Sequence, residues 1–321
     1  MVRYAIIPVA VFPLPGHNPA TIRLDTLSLV RQLIVNADDF GLTPGVNRAI
    51  VELARSGCLT SATLMAAAPA TEEAIQLAHQ TPALGVGCHV VLVDGVSCLD
   101  AAALRRYSWI DWTNGCPGQL PATPAQLLRA LFAPGVNRSQ REAFLEAEAF
   151  AQITRLQDSG VTLTHIDTHK HLHQFPALLR PVLRAARRAG IHRIRNPFEP
   201  GWSQRATHSV PFARRAQFRA LQFFRRAFDR IVADEGFVTT DGAIGVLATG
   251  MLDRTALEEL LTTIPDGRWE LVTHPGYQDE TLTRIRTRLR ASREVEIDAL
   301  RLLTGASELQ LLHFGALPSA P

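Results

Sequence analysis

Residues 33–44, which read Leu-Ile-Val-Asn-Ala-Asp-Asp-Phe-Gly-Leu-Thr-Pro, combine an apolar run, a carboxylate-bearing turn and a helix start. The opening apolar residues are typical of a buried strand. Thr43 is suited to cap a helix, and Pro44 is suited to its first position. Apolar residues then recur at helical spacing beyond the turn. The stretch therefore predicts a strand, a turn that carries Asp38 and Asp39, and a helix.

The same alternation of strand, loop and helix recurs along most of the chain. Apolar runs predict further strands at 59–65, 84–93, 161–166, 191–194, 243–248 and 270–273. Between them, a capping box from Ser139 to Glu142 predicts the start of a long helix, and a closing helix is predicted at 292–303. This alternation favours an α/β fold with mostly parallel strands, either a (β/α) barrel or an open doubly wound sheet.

One segment interrupts this rhythm. Residues 94–137 lose their periodicity and form a predicted irregular loop insertion, which contains Trp109 and Trp112. Loops of this length in a compact domain are commonly lids or binding loops. Residues 1–31 contain several prolines and predict a poorly ordered extension. We therefore expect a single domain over 32–316 with a lid-like insertion.

Polar residues follow the carboxyl ends of several predicted strands. These residues are Asp38, Asp39, His169, Arg195 and His274, and His89 lies within a predicted strand. In a (β/α) barrel the carboxyl ends of the strands meet on the face that carries catalytic residues. Side chains more than 230 positions apart can therefore share one pocket.

The densest cluster of chemically active residues is the segment 163–176, Leu-Thr-His-Ile-Asp-Thr-His-Lys-His-Leu-His-Gln-Phe-Pro. It holds four of the 11 histidines of the chain, together with one carboxylate: His165, Asp167, His169, His171 and His173. Imidazoles and a carboxylate at this density indicate a metal site or an acid–base relay. A polar surface loop is the alternative.

These residue types predict a particular chemistry. One carboxylate and two imidazoles provide three ligands for a divalent cation and leave a position for water or substrate. Such a cation acidifies water and polarises a carbonyl oxygen. A second carboxylate can accept the proton of the water, and a histidine can protonate the leaving group. The pattern predicts hydrolysis of an acyl bond or a phosphoester. A mixed oxygen and nitrogen ligand set admits Zn²⁺, Mg²⁺, Mn²⁺ or Co²⁺.

The composition narrows the class of protein. It is 46% hydrophobic and 20% charged, with a net charge of +3, as in ordinary globular proteins. Lys170 is the only lysine, and the chain has no nucleic-acid-binding motif, so we expect no nucleic acid partner. The cysteines lack C-x-x-C spacing and predict reduced thiols in a cytoplasmic protein: Cys58, Cys88, Cys98 and Cys116. No apolar run reaches the roughly 18 residues of a membrane span.

Four segments resemble the YdjC-like carbohydrate deacetylases, a family that includes chitooligosaccharide deacetylases and hopanoid-biosynthesis-associated proteins. The segments are Asn36-Ala37-Asp38-Asp39-Phe40-Gly41-Leu42, Gly85-Val86-Gly87-Cys88-His89-Val90, 164–173 and His274-Pro275-Gly276-Tyr277. Over about residues 33–315, the resemblance implies a distorted TIM-like (β/α) barrel. It also implies metal-dependent removal of an N-acetyl group from an amino sugar.

The resemblance also implies roles for individual residues. By motif, Asp39, His89 and His169 correspond to the ligands of one divalent metal ion, Zn²⁺ or Mg²⁺, with Mn²⁺ or Co²⁺ as alternatives. Asp38 corresponds to the general base and His274 to the general acid. The remaining residues correspond to substrate contacts or to support of the site: Asp167, His171, His173 and Arg195. Which histidine of 165–173 binds the ion does not follow from the spacing alone.

Two features are similar to the hopanoid-associated branch, the segment 87–95 and a predicted helix at 212–231 that is rich in Phe and Arg. Such a helix fits a membrane surface or a lipid-linked substrate, or it covers the barrel as an ordinary amphipathic helix. We expect an N-acetylated amino sugar or glycolipid substrate, peripheral contact with the inner membrane face through 212–231, and a homodimer. A metal-dependent phosphoesterase and a non-catalytic sugar- or lipid-binding barrel are the alternatives.

Overall fold

The computed structural model describes residues 31–107, 118–208, 210–305 and 308–318. Within them, seven strands pair in parallel: β1 (Arg31–Phe40), β2 (Ser61–Leu64), β3 (Gly85–Val90), β4 (Ile166–Thr168), β5 (Gly242–Ile244), β6 (Gly267–Thr273) and β7 (Gln310–Leu311). The predicted extension, apart from its last residue, and the two insertion tryptophans lie outside the described residues.

The described residues also include twelve α-helices and short 3₁₀ segments. The helices are α1 (Pro44–Arg55), α2 (Thr71–His79), α3 (Ala101–Arg106), α4 (Pro124–Leu131), α5 (Arg138–Asp158), α6 (Pro176–Arg188), α7 (Gly201–Ala206), α8 (Phe212–Leu221), α9 (Arg225–Asp234), α10 (Arg254–Thr263), α11 (Glu280–Arg284) and α12 (Arg293–Leu300). A 3₁₀ helix, His169–Gln174, follows β4 directly.

Strand β1 lies in the middle of the sheet, whose order is β4-β3-β2-β1-β6-β5. It pairs with β6 along its length and with β2 along its carboxyl half, while β7 pairs with its first residues. The last eight residues of β1 are buried. Burial on both faces is characteristic of a parallel strand covered by helices. The carboxylates at the end of β1 are therefore placed in the centre of the molecule.

Two further bridges continue the sheet beyond β4. Ile194 pairs with Ile166, and Arg193 pairs with Val238, both in parallel. Val238 precedes β5 by four residues, and β5 pairs with β6. The strands therefore curl as in the distorted TIM-like barrel that the resemblance implied, and their carboxyl ends share one face.

The helix start predicted after Thr43 is confirmed, and a second helix begins at a similar cap. Thr43 caps α1 by accepting the N–H of Val46, with Pro44 in the first turn. Asp253 caps α10 by accepting the N–H of Ala256. A side-chain oxygen at this position satisfies a backbone donor that otherwise lacks a partner within the helix.

Other boundaries differ from the predictions. The described part of 94–137 contains two helices, α3 and α4, rather than continuous irregular chain, because Asp100 and Thr123 cap helix starts. The capping box before α5 is formed by Asn137 and Gln140, not by Ser139. The run at 191–194 forms only single bridges.

The predicted helix at 212–231 is two helices joined by a 3₁₀ turn at Gln222–Phe224. Its inward aromatic residues anchor it, since Phe224 lies 5.5 Å from Phe175 and Phe228 lies 5.4 Å from Phe198 between ring centroids. Among the described residues, no helix combines the length and apolarity that crossing a membrane requires.

Candidate active site

The turn at the end of β1 places two carboxylates side by side. Asp38 and Asp39 are buried, with 3% and 4% of their surface exposed. Asp39 has a φ of 66°, a left-handed conformation that is disfavoured for residues with a Cβ. Asn47 fixes the turn, because its Oδ1 accepts the N–H of Gly41 at 2.7 Å. Backbone strain of this kind clusters at functional sites.

Three side chains from three different strand ends converge beside this turn. His89 Nε2 lies 3.2 Å from His169 Nδ1. Asp39 Oδ1 lies 3.7 Å from His89 Nε2 and 3.5 Å from His169 Nδ1. A tetrahedral cation with bonds of about 2.0–2.1 Å holds its ligand atoms about 3.3 Å apart. The three donor atoms therefore have the spacing and the chemistry of a metal ligand set.

His89 is oriented from behind by a carboxylate. Asp167 Oδ1 lies 2.7 Å from His89 Nδ1, and Thr63 Oγ1 lies 3.2 Å from the same nitrogen. A proton on Nδ1 that is donated to Asp167 leaves Nε2 facing His169 and Asp39. Metal-binding histidines commonly have such a carboxylate partner on the other ring nitrogen.

The charge of Asp39 is balanced on its other oxygen. Arg293 Nη2 donates to Asp39 Oδ2 at 2.5 Å, and Arg293 is completely buried. Burial alone raises the pKa of the Asp39 carboxyl, but Arg293 and His169 outweigh it and hold the pKa well below its usual value. Asp39 is therefore an ionised ligand candidate whose Oδ1 faces the histidines.

A second buried arginine joins three carboxylates. Arg195 donates to Asp38 through Nη1 at 2.8 Å and Nη2 at 2.6 Å. Its Nη1 also lies 2.5 Å from Asp167 Oδ2, and its Nε donates to Glu270 Oε1 at 2.7 Å. The arginine is completely buried, so its contacts are with this network rather than with solvent. It fixes Asp38 through a two-point contact of the kind that arginine and carboxylate geometry favours.

This network sets the ionisation of Asp38 and Glu270. Burial raises the pKa of Asp38, but Arg195, His89 and His274 outweigh it and lower the pKa well below the usual range. Burial raises the pKa of Glu270 to about 8, because Arg195 only partly offsets it. Asp38 is therefore ionised at neutral pH, whereas Glu270 binds a proton more readily than an ordinary glutamate.

The same network also changes the pKa of His89. Burial lowers the pKa of His89, but Asp167, Asp38 and Asp39 outweigh it and raise the pKa to about 9. These carboxylates therefore stabilise a positive charge at the imidazole. A cation bound at Nε2 would displace that proton and meet the same negative surroundings.

His274 lies across from the ligand group, just after β6. Its Nε2 is 3.8 Å from Asp38 Oδ2, and its backbone N–H donates to Glu296 Oε2 at 2.6 Å. Burial lowers the pKa of His274 to about 4, although Asp38 and Asp39 favour its protonated form. His274 Nδ1 is buried and has no hydrogen-bond partner within the described residues.

A second set of donors, Asp38, His89 and Asp167, also lies close together. Arg195 already binds the carboxylates of Asp38 and Asp167, and His89 Nδ1 is occupied by Asp167. The set that includes Asp39 is therefore the better cation site. The two sets share His89, so they do not form two separate metal sites.

The histidine cluster divides into different environments. His165 stacks on Phe314 with ring centroids 3.8 Å apart and is fully buried. His173 is also fully buried, and its Nδ1 lies 2.7 Å from Thr168 Oγ1. His171 is partly exposed, and its Nδ1 has no partner within the described chain. Only His169 of the cluster belongs to the Asp39 donor set.

Sequence reasoning missed the residues that support the site. Thr63 and Glu270 lie on β2 and β6, and Arg293 and Glu296 lie on α12. A single arginine or glutamate in a predicted helix can be a buried partner or a surface charge, and no sequence motif distinguishes the two. Glu270 lies in the last predicted strand, four residues before His274, and its charge within an apolar strand is the one available signal.

The fold and this site define a YdjC-like protein. The chain matches the family described as "YdjC-like protein" over residues 32–304, which is most of its length. The chain therefore belongs to the YdjC-like family.

Relatives with curated descriptions match this chain in part or along most of its length. A carbohydrate deacetylase of Geobacillus stearothermophilus is 39% identical over 56% of this chain and 64% of its own. A carbohydrate deacetylase of Thermoanaerobacter pseudethanolicus is 28% identical over 88% of this chain and 95% of its own. A chitooligosaccharide deacetylase of Escherichia fergusonii is 36% identical over 50% of this chain and 58% of its own. The chain thus spans less than two thirds of the length of several of these relatives.

One solved structure supports the fold. The crystal structure of an Enterococcus faecalis V583 protein, described as a candidate cellobiose-phosphate cleavage protein, superimposes with a TM-score of 0.64. The superposition covers 89% of this chain and 98% of that one at 22% sequence identity. At this identity the likeness extends to the fold only.

Proposed function

We propose that this protein is a metal-dependent hydrolase that removes the N-acetyl group from an amino sugar. The observation that best supports this proposal is that the side chains of Asp39, His89 and His169 converge. Asp38 and His274 lie beside them. Membership of a family whose curated relatives are described as carbohydrate deacetylases supports the choice of substrate.

Asp39, His89 and His169 would hold one divalent cation, Zn²⁺ or Mg²⁺, with Mn²⁺ or Co²⁺ as alternatives. The fit rests on the donor spacing and on the carboxylate behind His89. The cation would acidify water and polarise the acetyl carbonyl. A two-metal phosphoesterase would use more ligands than one cation does. The neighbouring carboxylates of Asp38 and Asp167 are already bound by Arg195, which favours a single cation and the deacetylase.

The other residues would handle the protons. Water adds to the acetyl carbon, Asp38 accepts its proton, the C–N bond breaks, and His274 protonates the amine, which leaves acetate and a free amino sugar. Arg195 keeps Asp38 ionised and aims it, because it binds both carboxylate oxygens. Burial lowers the pKa of His274 to about 4 and Asp38 and Asp39 offset this only in part, so His274 would have to receive a proton before it acts as the acid.

We expect the purified protein to release acetate from N-acetylglucosamine oligosaccharides, and a chelator to abolish the release. Adding back the divalent cation should restore the rate, because the ligands remain in place. Acetate is measured by a coupled enzymatic assay, and phosphate release from a phosphoester of the same sugar is the control. Phosphate without acetate would favour the phosphoesterase, and acetate release that a chelator leaves unchanged would contradict the metal role.

The substrate sugar is further proposed to lie at a membrane surface, as in a hopanoid-linked glycolipid. Phe212 in α8 and Phe223 in the 3₁₀ turn between α8 and α9 are 86% and 85% exposed. Arg219, Arg226 and Arg230 are exposed on the same helices and make no ion pair among the described residues. Exposed aromatic and basic side chains suit an anionic lipid surface.

The inward side of the same helices packs against residues next to the histidine cluster. Phe224 packs on Phe175, which directly follows the 3₁₀ helix that carries His169. Phe228 lies 6.2 Å from His173 between ring centroids. These contacts join the helices to the segment that carries a proposed ligand, which supports the choice of 212–231 as the membrane-facing segment. The homodimer remains a prediction.

We expect the protein to sediment with vesicles that contain anionic phospholipid and not with neutral phosphatidylcholine vesicles. The double substitution Phe212→Ser with Phe223→Ser should lower this binding at least about tenfold, because burying one such side chain contributes about 1.5–3 kcal/mol. Phe132→Ser, at an exposed phenylalanine on another part of the chain, is the matched control. Equal binding by the double variant and the wild type would contradict a membrane role for this segment.

A further inference from the structure

Left-handed backbone at residues other than glycine occurs, within the described chain, only at a proposed metal ligand or within five residues after one. Among the described residues, four residues other than glycine have positive φ: Asp39, Asp94, Lys170 and His171. Asp39 is a proposed ligand, and the two residues at 170 and 171 follow another proposed ligand. Because this conformation is disfavoured, it persists where the surroundings fix it. The fourth residue, Asp94, lies in the segment 87–95 and has no role assigned to it above.

Asp94 and Lys170 contact each other. Lys170 Nζ lies 2.8 Å from Asp94 Oδ2, and both side chains are about one third exposed, at 35% and 31%. Asp94 belongs to the segment that follows β3, the strand that carries His89. Lys170 directly follows His169 in the chain. The ion pair therefore joins the two loops that follow two proposed ligands.

Backbone hydrogen bonds hold Asp94 in place. Its N–H donates to Pro121 O at 2.8 Å, and Leu120 N donates to Gly95 O at 2.9 Å. A bridge between Val96 and Gln119 extends this pairing. The base of the insertion is thus a paired segment, and the carboxylate at its start is held in place.

Of the three proposed ligands, His169 has the fewest contacts that fix its side chain. Its side chain is 18% exposed, compared with 1% for His89 and 5% for Asp39. Within the described residues, no carboxylate lies behind its ring as Asp167 lies behind His89. The 3₁₀ helix that begins at His169 has no side-chain cap at its first turn, and Thr168 Oγ1 instead accepts the N–H of His173 at 3.0 Å. The position of its ring therefore depends on the backbone that Lys170 continues.

We propose that Asp94 and Lys170 are a positioning pair for His169. The ion pair holds the left-handed turn at 170–171, and this turn directs His169 Nδ1 towards Asp39 Oδ1 and His89. The proposal rests on the metal site proposed above. Neither side chain is a ligand; the pair acts through the loop that it fixes.

The test is a titration with Zn²⁺ alone, in competition with a chromophoric chelator, on the full chain. Asp94→Asn and Lys170→Met should each bind Zn²⁺ about two- to fivefold more weakly than wild type, which is the range that a partly exposed ion pair supports. The double variant should lose no more than either single one, because both remove the same contact. Asp298→Asn, which removes an exposed aspartate paired with Arg301, should bind as wild type does.

A second readout uses the single lysine of the chain. An amine-reactive reagent modifies only Lys170 and the amino terminus, and peptide mapping separates the two. Asp94→Asn should speed modification of Lys170 several-fold, because the amine loses its partner. If wild type binds no Zn²⁺, both the metal site and this proposal are wrong. If wild type binds Zn²⁺ and the Asp94 and Lys170 variants bind it equally well, only the positioning role is overturned.

Discussion

The Asp38→Asn protein should release acetate about 10²–10⁴ times more slowly than wild type, which is the usual contribution of general base catalysis. The amide cannot accept a proton from water, but it keeps an oxygen that can accept a hydrogen bond from Arg195. Because Asp38 is not in the preferred ligand set, binding of the cation should remain largely intact. Steady-state acetate release and a Zn²⁺ titration measure the two properties separately.

Asp266→Asn is the matched control for this substitution, because Asp266 is exposed and precedes β6, at the opposite end of the strand from His274. It should keep full activity. Near-normal acetate release by Asp38→Asn would show that Asp38 is not the base. Loss of cation binding by that variant would instead indicate that Asp38 belongs to the ligand set.

The Arg195→Met protein should lose about 3–5 kcal/mol of unfolding free energy, because removing one partner leaves buried charges uncompensated. Arg195 is fully buried and contacts Asp38, Asp167 and Glu270. Methionine preserves much of the side-chain length, so the loss reports the charge rather than a cavity. Urea unfolding followed by circular dichroism measures the free energy.

The loss of unfolding free energy in Arg195→Met should depend on pH. In wild type, Arg195 helps to lower the pKa of Asp38, so the stabilisation is fully present above the unfolded pKa, at about pH 4, and is lost as pH falls from there towards the folded pKa. The difference between Arg195→Met and wild type should therefore be larger at pH 7 than at pH 3. Arg226→Met, at an exposed arginine, should change stability by less than about 0.5 kcal/mol at either pH. A small, pH-independent loss in Arg195→Met would contradict the proposed charge network.

The sequence predicted the fold well where a local signal and the tertiary structure agree. The strand, turn and helix around Asp38 were correct because Thr43 and Pro44 encode the helix start directly. The start of α5 was assigned wrongly because Asn137 competes with Ser139 as the cap, and only the backbone contacts decide between them. The sequence predicted an irregular insertion at 94–137 because its two helices, α3 and α4, are short.

The site was predictable as a set of positions and not as a network. Asp39, His89 and His169 fall at or near the ends of strands, so barrel geometry brings them together. Arg293 could not be found, because it lies more than 250 residues after Asp39 on a helix with no motif. The pairing of Asp94 with Lys170 was also hidden, since it depends on two left-handed backbone conformations.

The central claim is that one cation binds between the second aspartate of the β1 turn and two histidines from other strands. Anomalous diffraction from crystals grown with Zn²⁺, recorded on both sides of the zinc absorption edge, locates the ion directly. We expect one strong peak within about 2.0–2.2 Å of Asp39 Oδ1, His89 Nε2 and His169 Nδ1. A peak bound by Asp38 and Asp167 instead, or no peak near His89, would contradict it.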